Sequence, residues 1–159
     1  MRTALDVMGW APTLTEAVVR LDLLLRAGAV YPERLRAVQL NSDRVQRAVA
    51  LPDGRSESPQ EPRLRVTLVL AGLPAPVPQY EVCGAGRLIA RVDPAYPRQR
   101  IAIAYDGRWH DTAGQFARDR RRLSALAAAG WRVILVTAAD LHHPREVISL
   151  VRAALLDSV

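Results

Sequence analysis

The sequence predicts an α/β protein: helices sandwiching a mixed sheet, in the order helix, three-strand meander, helix, strand, helix, preceded by an N-terminal helical arm. Three observations point there. Apolar residues recur at helical spacing before residue 52; short β-branched and apolar runs punctuated by Gly and Pro fill residues 79–105; and the helical period returns at residue 112 around one buried apolar run.

In the arm, Leu14, Val18, Leu21 and Leu25 share one helical stripe, with Thr13 and Glu16 in capping-box positions and Gly28 as the stop. A short helix is expected from Pro32 and another over 43–51, after which Pro52-Asp53-Gly54 reads as a turn. The arm or connector therefore spans 1–54, and the α/β domain 55–159. The domain opens with Ser58 as N-cap, Pro59 at the first helical position and Glu61 at the third, then Leu64, Leu68 and Ala71 on one stripe up to Gly72. Prolines at 74, 76 and 78 forbid a helix and deliver an extended chain into a strand over 79–83. Gly84-Ala85-Gly86 is a hairpin turn into a strand over 87–92, Pro94 to Pro97 is a second turn, and 100–105 is the third strand. A helix over 112–129 stops at Gly130, Trp131 opens a buried strand over 131–136, and a last helix runs from about Pro144 to Leu156.

The 159 residues are 50% hydrophobic and 24% charged, enough apolar material to hold a core without disulfides or a structural metal. The single cysteine, Cys83, excludes an intramolecular disulfide and favours a reducing compartment, so a cytoplasmic protein is expected. Residues 1–10 lack the apolar region of a signal peptide, and no window is long and apolar enough for a membrane span, which argues against a membrane partner. The 22 basic residues, every one arginine, outnumber 16 acidic ones and leave a net charge of +6. A planar guanidinium pairs with phosphate through two parallel hydrogen bonds, so DNA is the leading partner; a GC-rich coding sequence would produce the same composition.

The chemistry-bearing stretch is RVDPAYPRQRIAIAYDGRWH, residues 91–110. An antiparallel return brings positions 104 and 106 back towards Asp93, and two carboxylates across a hairpin suit a hard divalent cation. Such an ion polarises a phosphodiester and acidifies a bound water; the alternative is that Asp93 before Pro94 and Asp106 before Gly107 are ordinary turn residues.

The ordered runs SESPQEPRLR, AGL, ARVDPAYP, IAIAYDGRWH and DRRRLSALAAAGWRVILVTAADL resemble a bacterial family with a restriction-endonuclease-like fold. That family is similar to the very-short-patch repair endonucleases of the PD-(D/E)XK group, and the resemblance covers residues 55–156. It implies metal-dependent DNA phosphodiester hydrolysis, with Asp93 and Asp106 as ligands of Mg2+ or Mn2+, Glu61 orienting a metal-bound water, and His110 assisting proton transfer. One position departs. Family members usually carry glutamate two residues before the aspartate of Asp106, whereas here Ala104 stands there, so a cation would be weakly held and the nuclease is either inactivated or works with Asp106 alone. The alternative function is a non-catalytic DNA-binding or regulatory module of a toxin–antitoxin or defence system. Residues before 55 resemble a segment that joins a winged-helix region to the nuclease domain in longer relatives, which implies the C-terminal part of a longer architecture.

Arg118, Arg120, Arg121 and Arg122 form the densest charge run. Helical geometry turns Arg118, Arg121 and Arg122 away from a stripe of Phe116, Leu123, Leu126 and Ala127, where they serve either as phosphate contacts or as a solvated face. Asp119 projects onto the apolar side and is expected to need an arginine or backbone partner. Trp109 is the candidate for contact with DNA, whereas Trp131 belongs to the core. His142-His143 lacks companions at zinc spacing and reads as a turn.

Overall fold

The computed structural model describes residues 6, 8–36, 46, 49–84, 86–106 and 113–157. Among these the chain forms six helices and five strands, in two compact units, Met1–Leu70 and Ala71–Val159. The turn at 52–54, the expected boundary, lies inside the first unit.

That unit is built on α1 (Leu14–Arg26), followed by α2 (Pro32–Arg36) and α3 (Gln60–Leu70). Thr13 caps α1 by accepting from Glu16 N at 3.1 Å, but the reciprocal half of the capping box is absent. The Glu16 carboxylate instead accepts from Arg63 Nε of α3 at 2.9 Å. Val18, Leu21 and Ala17 of α1 pack with Met8, Ala11, Val30 and Val66. Into this apolar setting α1 also turns Asp22. Its Oδ1 accepts from Asp53 N at 2.7 Å and Gly54 N at 3.2 Å, and its Oδ2 from Ser56 Oγ at 3.1 Å and Arg65 Nη2 at 2.7 Å. Four donors replace the water this buried carboxylate has lost. They also fasten the 53–56 turn to α1 and α3, which is why that turn does not divide the fold. The helix expected over 43–51 lies largely outside the described residues.

The second unit begins with β1 (Tyr80–Gly84) and β2 (Arg87–Val92), antiparallel, with a register shift between Val82 and Cys83 and Gly86 at φ +74° in the turn. β3 (Ala95–Tyr96) runs antiparallel to β4 (Ile101–Asp106), and β4 runs parallel to β5 (Arg132–Thr137). The expected mixed sheet is therefore present, with strand order β3-β4-β5. The expected single meander is not: β1 and β2 form a separate two-stranded sheet. The break falls at Asp93-Pro94, where the chain bends and Pro94 has no N–H to give a ladder. One bridge spans the break, with Val77 N donating to Ala95 O at 2.7 Å and Ala95 N to Val77 O at 2.9 Å. The turn expected over Pro94–Pro97 lies further on, in a 3-10 turn at Pro97–Gln99 that ends on Arg100 at φ +52°.

Val82, Ala90, Val92, Ala95, Ala102 and Leu126 form the core of this unit, with Tyr80, Trp131 and Val133 against it. The Tyr80 and Trp131 ring centroids lie 5.6 Å apart, so Trp131 is a packing residue. Leu126 comes from α4 (Ala113–Ala128), and α5 (Ala138–His142) and α6 (Arg145–Leu156) follow β5. His142 and His143 are exposed at the end of α5. No helix among the described residues is long and apolar enough to cross a membrane.

Candidate functional site

Two registers meet at Asp93. Tyr80 pairs with Val92 and Val77 with Ala95, so Gln79 stands opposite Asp93 on one side. On the other, Ala95 pairs with Ala102 and Ile103 N donates to Pro94 O at 3.0 Å, so β4 runs alongside the Asp93-Pro94 break. Alternation along β4 puts Asp106 on the same side as Ala104, and parallel pairing adds Leu135 beside Ala104 and Thr137 beside Asp106. Ala104 is 7% exposed, whereas its neighbour Leu135 is 49% exposed.

The half-buried Asp93 accepts from Gln79 Nε2 at 2.7 Å through Oδ2. Asp106 is half-buried at the end of β4. Beside it, Thr137 caps α5 reciprocally with Asp140: Thr137 N and Oγ1 each lie 2.7 Å from Asp140 Oδ2. Those bonds, the backbone one foremost, hold the Asp140 carboxyl below the usual carboxylate range. Asp140 is thus an acid near the site that sequence reading passed over, and its carboxylate is taken up by the cap.

Glu61 belongs to the first unit. Its Oε2 accepts from Glu57 N at 2.6 Å and its Oε1 from Ser58 Oγ at 3.2 Å, so both oxygens fasten the chain that enters α3. Trp109 and His110 lie outside the described residues.

A divalent cation of the Mg2+ type wants about six oxygen ligands, commonly one or two protein carboxylates with water and substrate phosphate supplying the rest. The strands supply two carboxylates, Asp93 and Asp106; position 104 offers a methyl group, and one oxygen of Asp93 already holds an amide. Among the described residues, no group of three or more His, Cys, Asp or Glu is placed to hold a metal ion. Asp93 and Asp106 are the carboxylates that would hold such an ion, with water supplying most of its other ligands.

On α4, Arg118, Arg120 and Arg121 are exposed, in line with a cationic outer face. Arg122 is a correction. It is half-buried, one turn from the fully buried Leu126, and its Nε is buried without a hydrogen-bond partner among the described residues. The covered stripe runs through 122, 126 and 129, while Ala127, expected inside, is exposed. An arginine stem packs well along apolar surface, so the side chain tolerates that place. Asp119, expected on the apolar side, is exposed as well, where its charge is open to solvent.

Fold and site together define an α/β protein with a mixed three-stranded sheet and two acids at its β2–β3 break and β4 end. No protein-family model matches the chain, and no solved structure matches it. Two proteins of Mycobacterium tuberculosis, one from strain CDC 1551 / Oshkosh and one from strain ATCC 25618 / H37Rv, are each 35% identical to it over 92 residues, which is 57% of this chain and 34% of theirs. Both are described as uncharacterized proteins. The chain thus spans 34% of the length of the curated relatives it matches.

Proposed function

We propose that the chain is a cytoplasmic DNA-binding module on a restriction-endonuclease-like framework, one that retains the strand layout of a metal-dependent nuclease without its hydrolysis. The observation that carries the reading is Ala104, buried on β4 at the place where the resemblance calls for an acid. A methyl group there removes a charge and an oxygen ligand together, which would weaken the hold on a cation. DNA as the partner is supported by the +6 net charge carried wholly by arginine and by the exposed arginines of α4.

A paired assay tests this. The native chain is expected to shift duplex DNA in a gel and to leave plasmid and mismatch-containing DNA uncut with Mg2+ or Mn2+. Ala104→Glu is expected to gain Mn2+ binding by calorimetry. Robust metal-dependent cleavage by the native chain, lost in Asp93→Asn, would overturn the non-catalytic reading, and absence of any DNA shift would overturn the DNA-binding one.

A further inference from the structure

We propose that the outer edge of β5 docks a second copy of this chain, the two β5 strands pairing antiparallel about a two-fold axis at Ile134. The inference is independent of the DNA-binding reading.

Three observations carry it. The first is an open strand edge. The order β3-β4-β5 makes β5 a terminal strand, whereas β3 at the other side is bridged to Val77. Arg132 N donates to Arg100 O at 2.9 Å, and in a parallel pair alternate residues bond to the neighbour, so Arg132, Ile134 and Val136 turn their backbone groups to β4. Val133 and Leu135 turn theirs outward. Among the described residues, these two N–H and two C=O groups have no hydrogen-bond partner. Such an edge is a template for another strand.

The second is where the open stretch stops. Trp131 N donates to Leu126 O at 3.0 Å and Thr137 N to Asp140 Oδ2 at 2.7 Å, so the chain's own bonds close both ends. The four groups left between them complement themselves. With Ile134 opposite its own copy, Val133 N–H meets the Leu135 C=O of the second copy and Leu135 N–H meets its Val133 C=O; the two-fold repeats both bonds, and every open group is used. Moving the axis to Val133 or to Leu135 sets Leu135 against Trp131 or Val133 against Thr137, whose N–H groups are already engaged.

The third is the side chains. Leu135 is 49% exposed, although Val133 on the same face is half-buried. In this register Val133 of the second copy stands beside Leu135 and covers it. Arg132, the one charged residue of β5, falls opposite Val136 of the second copy, four residues along from its own counterpart, so like charges are not set together. The two three-stranded sheets then join into one of six strands, with Ala104 and Asp106 of both copies on a common face.

The test follows the mass and the amide exchange of the native chain across concentration. The chain is expected to sediment at twice its monomer mass at about 100 μM and to approach the monomer on dilution. The Val133 and Leu135 amides are expected to exchange at least about tenfold faster in the dilute sample. Leu135→Lys sets a charge within the pairing and is expected to raise the dimer dissociation constant at least about tenfold. Ile134→Cys with Cys83→Ser keeps the test open if the lysine variant folds poorly: residues directly opposite on paired strands lie within disulfide reach, so oxidation is expected to link two copies. A native chain that stays monomeric, exchange at Val133 and Leu135 that ignores concentration, a dimer that Leu135→Lys leaves intact, or no cross-link at position 134 would each overturn the inference.

Discussion

Arg65 donates to Asp22 at 2.7 Å inside the first unit, with the two residues only 5% and 2% exposed. Asp22 accepts three further hydrogen bonds, whereas Arg65 Nη1 has no hydrogen-bond partner among the described residues. The carboxylate is the satisfied member of the pair, and the guanidinium depends on it.

Removing that carboxylate leaves a buried cation without its counter-charge. Asp22→Ala is expected to lower stability by about 3–5 kcal/mol in urea unfolding, the usual effect of breaking a buried pair. Replacing both partners, in Asp22→Ala with Arg65→Met, is expected to cost less than the two single changes added together. Additive losses would show that the pair acts as two independent residues.

The arginines of α4 separate by burial. On the proposed DNA-binding reading, Arg118→Ala with Arg121→Ala weakens binding to all sequences alike and flattens the salt dependence by about 0.9 per lost phosphate contact, with stability unchanged to within about 0.5 kcal/mol. Arg122→Ala instead is expected to lower the unfolding midpoint, because the side chain is half-buried one helical turn from the buried Leu126. An unaltered salt slope in the first variant assigns those side chains to a solvated face.

Tyr96 gives a pH signature. Burial pushes its hydroxyl from 10.0 up to about 12, and the hydroxyl donates to Pro74 O at 2.9 Å. The unfolded chain therefore releases this proton first as pH rises. The stabilisation by the neutral phenol is full below pH 10.0 and is lost between there and about 12. Tyr96→Phe is expected to cost about 1 kcal/mol at neutral pH and to flatten that alkaline decline in denaturant unfolding. A decline of unchanged steepness in the variant assigns it to other groups.

Local signals were the legible ones. Thr13 at the start of α1, Gly86 in the hairpin and Gly130 after α4 each act through the neighbouring backbone, and each stands where the sequence put it. What escaped depends on partners distant along the chain. Asp22 lies four residues after Val18 on the apolar stripe of α1, the same sign that drew attention to Asp119, yet only Asp22 is buried. Periodicity names the face of a helix, but not how far along its length a neighbour covers it. Likewise Asp93-Pro94 reads as a turn in sequence, whereas pairing resumes at once in β3 because Ala95 finds Val77 on one side and Ala102 on the other. Asp93 and Asp106 were legible as a spacing on returning strands. The contact of Gln79 with Asp93 was not, since it joins a turn and a bend that only the returning chain brings together.

Ala104 also bears on how this protein meets a varying cellular ion supply. Where acids converge on one strand end, their mutual repulsion weakens the fold until a cation arrives, so the folded population follows the metal available in the cell. A 7%-exposed methyl group at this place adds no charge to β4, so the strand end carries less of that repulsion. The strand is therefore expected to form with less dependence on divalent ions than one carrying glutamate at position 104.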